Sequence, residues 1–335
     1  MAYLLYKLKF PNGIHIGSEK GLEATEITIN SDTFYSAIFS EYMKLYGDDK
    51  LFKITEEGNF KISNLFPFKE INYDTVFYLP KPIVNISQIK DDSLRNNIDR
   101  KKIKKINFIP AHRLNDYFSY LEKGTNFPNI DVDFGERQLF TKNKVSTTGE
   151  DTKIYNVETF KFNKDSGLYF IMEIDNKTYD EWEEKLYELF ESLSLTGIGG
   201  KKSSGYGRFE IEDPMLFDGE DFDMFESIDD EIINKSLYED TKHYLLLSAY
   251  SPQKEEIEKI NSDENCYKII KRSGFVNKKS YSNEPQKMKQ VYMLSAGSTL
   301  NFKPKGRLLD LNLHGNHSIY RMGKPIVMGV HLWEK

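Results

Sequence analysis

The chain has 335 residues, is 39% hydrophobic and 14% aromatic, and carries one cysteine, Cys266, with a formal net charge of −6. That size suits about two domains with real cores, while a lone cysteine excludes an internal disulfide and a zinc site built on cysteines. With no signal peptide and no apolar run of membrane length, the expectation is a soluble, cytoplasmic protein with no membrane partner.

Tyr3 to Phe10 alternates as a strand and ends at the turn Pro11-Asn12-Gly13, followed by Ile14-His15-Ile16-Gly17. Phe34, Ile38, Tyr42 and Leu45 fall on one helical face, with Ser31 or Asp32 as the expected N-cap and Gly47 as the stop. Val76 to Leu79 reads as a short strand closed by Pro80 and Pro82. The stretch from Arg95 to Thr152 is polar and mixed. Lys153 to Phe162 and Gly167 to Ile174 read as a hairpin around Asn163-Lys164-Asp165-Ser166. A second helix is expected from about Tyr179 to Leu193, with Trp182, Leu186, Leu189 and Leu193 on one side, and Tyr206 to Ile211 as a strand after it. Further strands are expected at Tyr244–Tyr250, Val291–Leu294, Leu300–Phe302, Arg307–Leu311 and Ile326–Leu332, with a weak helix near Glu255 to Ile260.

This order predicts an α+β protein of two ferredoxin-like (RRM-like) domains. The first, 1–213, carries insertions; 214–240 is an acidic junction; the second, 241–335, is strand-rich and divergent, with a small barrel as the alternative. The sheet of such a domain is a common RNA platform.

Charge is distributed unevenly. Glu210 to Glu231 contains eleven acids and no Lys or Arg, so the remainder of the chain stands at −6 + 11 = +5. Arg95 to Lys105 holds six cations against Asp99, and Lys268 to Lys289 holds seven against Glu284. Such asymmetry matters more for partners than the sum. The acids Asp221, Asp223, Asp229, Asp230 and Glu231 read as solvated, and the acidic segment is expected to face away from any phosphate backbone. The Lys268–Lys289 run, with Tyr267, Phe275, Tyr281 and Tyr292 among its cations, fits either a basic loop or a single-stranded RNA surface.

The most informative stretch is Ser194 to Phe209, SLTGIGGKKSSGYGRF, with five glycines, two lysines, an arginine and no acid. Glycines permit φ > 0 and close backbone approach. Successive N–H groups with lysines beside them form an anion site. It is not a P-loop, since Lys202 stands where Ser or Thr is needed; nor is it a dinucleotide fingerprint, since Lys202 stands where the third glycine is needed. A flexible connection is the plainer alternative. The candidate contacts to a phosphate backbone are Gly197, Gly199, Gly200, Lys201, Lys202, Ser203, Ser204, Gly205, Tyr206 and Arg208 in the glycine-rich loop 197–207 and just beyond it.

A family resemblance rests on this loop and on four further stretches. They are Tyr6-Lys7-Leu8 to His15-Ile16-Gly17; Ser31-Asp32-Thr33-Phe34-Tyr35-Ser36-Ala37; Phe108-Ile109-Pro110 with Arg113-Leu114; and Ser318-Ile319-Tyr320-Arg321-Met322-Gly323-Lys324-Pro325 to Met328-Gly329-Val330. The chain resembles the RAMP superfamily of CRISPR systems and, within it, the fourth Csm subunit of type III-A effector complexes. The stretches near Tyr73–Asn107 and Lys254–Asn283 match nothing in the family pattern.

The resemblance implies a non-catalytic subunit, present once per complex, that caps one end and grips the repeat-derived 5′ tag of the crRNA. It also implies docking to the large polymerase-like subunit and to the repeating backbone subunit. No cofactor is implied. It implies that Phe134 to Gly149 is a thumb-like hairpin along the crRNA, with Arg137, Lys142 and Lys144 as cations and Val145 as the wedge; a plain surface loop is the alternative.

His15 and Gly17 lie in the first turn. His15 would be the general base if the chain were a metal-independent crRNA-processing endonuclease; RNA contact or local structure are its other readings. Ser31 and Thr33 sit at a helix N-terminus that offers N–H groups to a phosphate. Arg272, Arg321 and Lys324 are cations of the second domain that would close over the tag. No compact carboxylate set suits a metal or polymerase site, and His314 and His317, three apart, lack a third ligand nearby. A protein-only scaffold is the remaining alternative.

Overall fold

The computed structural model describes residues 1–18, 21–72, 74–86, 98–144, 153–219, 227–276, 286–313 and 318–332. The strands of the first part are β1 (Ala2–Lys9), β2 (Gly17–Ser18), β3 (Gly21–Thr25), β4 (Phe60–Ile62), β5 (Phe66–Ile71), β6 (Asp74–Pro80), β7 (Phe108–Pro110), β8 (Gly135–Lys144), β9 (Lys153–Phe162), β10 (Ser166–Ile174), β11 (Glu210–Ile211) and β12 (Met215–Phe217). Its helices are α1 (Ser31–Leu45), α2 (Lys50–Glu57), α3 (Arg100–Lys105), α4 (Leu114–Lys123) and α5 (Asn176–Thr196). The remainder holds α6 (Ile228–Tyr238), β13 (His243–Leu246), α7 (Ile257–Ile260), β14 (Ile269–Arg272), β15 (Phe275–Val276), β16 (Gln286–Lys287), β17 (Val291–Leu294), β18 (Thr299–Leu300), β19 (Arg307–Asp310), β20 (Tyr320–Gly323) and β21 (Val327–Val330). The architecture is α+β with antiparallel sheets. Among the described residues no helix is long and apolar enough to cross a membrane.

The main sheet runs β11-β1-β10-β5-β6-β7, with β12 also on β1 and β4 also on β10. Alternation on β1 decides how it is covered. Leu4, Tyr6 and Leu8 face a core with Phe34, Ile38 and Tyr42 of α1 and Leu186, Leu189 and Leu193 of α5. Tyr3 and Leu5 face the opposite core, with Ile171 of β10, Tyr117 of α4, Ile233 of α6, and Leu245 and Met328 of β13 and β21. Period-2 alternation therefore feeds two apolar layers rather than one. The sheet face expected to serve as an RNA platform lies under the second part of the chain. The two parts thus share a core.

Several expectations need correction, among them the strand expected at Tyr206 to Ile211, which is confined to Glu210–Ile211. The N-cap of α1 is Asn30, in extended conformation and without a side-chain cap bond, and Leu45 of the predicted stripe is exposed. Ser31 is fully buried instead: Asn64 Oδ1 accepts from its amide at 2.8 Å, and its Oγ accepts from the Ala249 amide at 2.9 Å. The strands flanking Asn163–Ser166 exist but do not pair with each other. β9 pairs with β8 from Gly135↔Phe162 to Lys144↔Lys153, while β10 pairs with β1, β4 and β5.

The described parts of the acidic junction hold β12 and α6. Asp229 and Asp230 are buried, not solvated. Asp229 accepts from the Phe77 and His112 amides and lies 2.7 Å from His112 Nδ1. Burial raises its pKa from the usual carboxylate value, and His112 and the two amides oppose that rise. Asp230 completes a capping box with Ser227. Asp221 and Asp223 lie outside the described residues. Lastly, the described part of the basic run is strand rather than loop at 269–272, 275–276 and 286–287, where β14 pairs with β17 and β15 with β16; 277–285, with Tyr281, lie outside the described residues.

Candidate nucleic-acid interface

The glycine-rich loop leaves α5 and packs on the first turn of the chain. Gly197, Gly199, Gly205 and Gly207 have φ of 79°, 88°, 86° and 78°, and Lys201 is left-handed at 57°. These signs favour glycine, and the close approach explains the rest. A Cβ on Gly207 would stand 1.9 Å from the Ile198 carbonyl oxygen, and one on Gly199 2.7 Å from the His15 oxygen. Much of the backbone hydrogen bonding is internal. Ile198 N donates to Gly207 O at 2.8 Å, Gly200 N to His15 O at 2.8 Å, and Gly207 N to Gly13 O at 2.9 Å. The glycine density is therefore first a packing requirement, which the sequence reading assigned to phosphate. What the loop presents outward is charge: Lys202 and Arg208 are exposed and Lys201 half-buried.

The β8–β9 hairpin lies alongside. Lys201 Nζ stands 4.8 Å from the centre of the Tyr155 ring, and Lys142 Nζ 5.8 Å from that of Tyr206. Lys142 also reaches Ser204 Oγ at 3.5 Å. Cations and aromatic rings so interleaved suit a single strand, with phosphates on the lysines and base faces on the rings. Tyr155 was missed in the sequence. The alternation of Lys153–Phe162 carries its signal, since Tyr155 shares a strand face with the buried Val157 and Thr159. Lys142↔Tyr155 is a directly paired position of the hairpin.

His15 is 6% exposed. Its Nδ1 lies 2.7 Å from the Glu158 carbonyl, so Nδ1 carries the proton and donates. Gly200 covers its Cδ2 edge. Arg137 pairs with Glu158 at 2.9 Å and also donates to the Thr25 carbonyl. Gly17 is exposed beside open space. Lys144 is the last residue of β8, and Val145 lies outside the described residues.

The remaining predicted site residues gather elsewhere, around the start of α1. Asp32, fully buried, accepts at Oδ2 from Arg272 Nε at 2.8 Å and Arg321 Nη1 at 2.5 Å. Arg272 also donates to Thr33 Oγ1 at 2.6 Å. Ser31, Thr33, Arg272 and Arg321 thus form an internal network joining the two parts of the chain. Lys324 donates to the Glu56 carbonyl; burial pushes its ammonium pKa down, helped by Lys61. Among the described residues no three His, Cys, Asp or Glu side chains are placed to hold a metal ion. His314 and His317 lie outside them.

Comparison with known proteins gives a consistent result. The RAMP superfamily matches residues 7–210, and the CRISPR Csm4 C-terminal domain matches residues 239–330. The CRISPR system Cms protein Csm4 of Streptococcus thermophilus is 27% identical over 334 residues, covering 97% of this chain and 98% of that one. Its counterpart from Mycobacterium tuberculosis (strain ATCC 25618 / H37Rv) is 25% identical over 317 residues, covering 94% of each. In fold, the chain matches one from the Csm3-Csm4 subcomplex of the type III-A CRISPR-Cas interference complex, with a TM-score of 0.59, 21% identity and coverage of 99% and 100%. It also matches one from the Csm1-Csm4 cassette in complex with pppApA, at a TM-score of 0.59, 16% identity and full coverage of both chains. With the superfamily spanning well over half of its length and the Csm4 C-terminal domain most of the remainder, this chain belongs to the RAMP superfamily of CRISPR proteins.

Proposed function

We propose that the chain is the capping subunit of a type III-A CRISPR interference complex, present once, and that it grips the 5′ tag of the crRNA. It docks to a large polymerase-like subunit, the counterpart of Csm1, and to a repeating backbone subunit, the counterpart of Csm3. It acts in antiviral defence in the cytoplasm. The family supports this assignment over both parts of the chain. We read the first sheet as a ferredoxin-like unit extended by β5–β7, and β13, β18 and β21 as the remnant of a second.

The observation that carries RNA binding is the interleaving of Lys142, Tyr155, Lys201 and Tyr206 across the hairpin and loop. The loop, with Gly199 and Gly200 packed on His15 and Ile16 and Gly207 bonded to Gly13, positions Lys201, Lys202 and Arg208 along one strand. Held phosphates fix the tag in place, so guide pairing starts at a defined nucleotide. The role is binding, not catalysis: His15 is buried and its Nδ1 is committed to a carbonyl.

The test is K201A/K202A in the full chain, with binding of tag RNA followed over a salt series. The log–log salt slope becomes shallower by about one to two units and affinity falls for all sequences. Unchanged affinity and slope would remove the loop from the site. Cleavage of repeat RNA by the pure chain, abolished by His15→Ala, would favour the endonuclease instead.

A further inference from the structure

The β14–β17 ladder has an outward face that the proposed tag site does not use. Lys271 is directly opposite Tyr292, and Ile269 opposite Leu294. Directly opposed residues share a face, with Cβ atoms about 5 Å apart. On the inner face Arg272 reaches Asp32 and Met293 is buried. On the outer face Ile269 is 58% exposed and Tyr292 59%, while Leu294 at the ladder's end is buried; Tyr267, just before β14, is 37% exposed. Tyr292 is held in place, its hydroxyl accepting from Gln290 Nε2 at 2.9 Å. Lys268, Lys271, Lys287 and Lys289 are all exposed, and no acid occurs in 268–276 or 286–294.

We infer that this ladder is a second surface for single-stranded RNA, separate from the glycine loop. Exposed Tyr267 and Tyr292 offer base-sized planar faces, and Lys271 of the ladder, with Lys268, Lys287 and Lys289 in the adjoining stretches and no acid in 268–276 or 286–294, offers phosphate contacts. A protein-binding face of this size would be expected to have few lysines at its centre. Here Lys271 stands beside the central ring. The spacing along an antiparallel ladder, about 6.8 Å between same-face residues, also suits the repeat of an extended strand of nucleotides.

The experiment uses the full chain in the K201A/K202A background, so that failure of the tag-site reading and failure of this one are distinguishable. Binding of a fluorescent oligouridine 15-mer is measured by anisotropy across a salt series. Tyr292→Ala weakens binding at least about tenfold, while Tyr292→Phe stays within about twofold, because stacking needs the ring and not the hydroxyl. Replacing Lys268, Lys271, Lys287 and Lys289 by alanine makes the salt slope shallower by about two to three units. These positions are exposed, so the variants keep the wild-type circular dichroism spectrum. Unchanged affinity in both the tyrosine and the lysine variants overturns the proposal. So does an equal loss in Tyr292→Phe, or a loss of binding to an acidic protein partner with RNA binding intact.

Discussion

Replacing Asp32 by asparagine keeps its shape and removes its charge, which leaves two guanidinium groups to face each other at the junction of the two parts of the chain. Side-chain exposure is 0% for Asp32, 9% for Arg321 and 19% for Arg272. Removing one partner of such a buried network costs about 3–5 kcal/mol, because the charge left behind is neither solvated nor paired. Arg272 is partly wet and keeps Thr33 as a partner, so the lower half of that range applies to it, and Arg321→Gln costs more than Arg272→Gln. With a urea m-value of about 2–3 kcal/mol/M for a chain of this size, Asp32→Asn lowers the unfolding midpoint by about 1–2 M. The assay is urea unfolding followed by tryptophan fluorescence and far-ultraviolet circular dichroism. A double-mutant cycle with Arg321→Gln isolates the pair, and the double variant recovers part of the loss. A midpoint shift below about 0.3 M, or purely additive losses, would refute the reasoning.

Two further outcomes follow from the geometry. Gly207→Ala combines φ of 78° with a Cβ contact of 1.9 Å, so it loses at least about 1–3 kcal/mol of stability, whereas Gly17→Ala, which meets nothing within 4 Å, stays within about 0.5 kcal/mol; thermal unfolding of the two variants checks the contrast. Glu41 joins α1 to α5: burial alone would raise its pKa, but bonds from Lys44, Ser192 and Thr196 outweigh this and hold it below the usual 4.5. A lowered folded pKa means a contribution that is present above 4.5 and lost as pH falls through the folded value, so acid titration of stability is shallower below pH 4.5 in Glu41→Gln than in the parent chain, and an equal slope would contradict the linkage.

The sequence made the elements legible more readily than their partners. The apolar spacing of Phe34, Ile38 and Tyr42 located α1, because burial of one stripe is a local signal. Its cap was misplaced because Ser31 spends its hydroxyl on Ala249, 218 residues away, which no local rule anticipates. The turn at Asn163–Ser166 reads in the sequence as a hairpin, but it carries the chain from one sheet to another; β10 is buried at every position, so nothing in its own pattern names the strands it joins. The acids of 214–240 misled for a related reason: Asp229 is buried only because Phe77 and His112 supply donors across the fold.

The glycine loop was legible as a special backbone. Gly199 and Gly200 are explained by His15 and Ile16 beneath them, and Gly197 and Gly207 by each other's strand of the loop, so composition overstated the number of amides open to a ligand. Its lysines are on the surface as expected. Arg272 and Arg321 were legible as important but not as internal, because a buried arginine and a surface one look alike until the aspartate that holds them is placed.

The central claim is that the hairpin and the glycine loop hold the crRNA tag. The direct test is photocrosslinking of the assembled complex with 4-thiouridine placed at successive tag nucleotides, followed by peptide mapping. The account predicts crosslinks to the peptides carrying Lys142, Tyr155 and Lys201 to Arg208, confined to tag positions. Crosslinks from the tag that fall only on other subunits, or crosslinks to these peptides only from the guide and target strands, would contradict it.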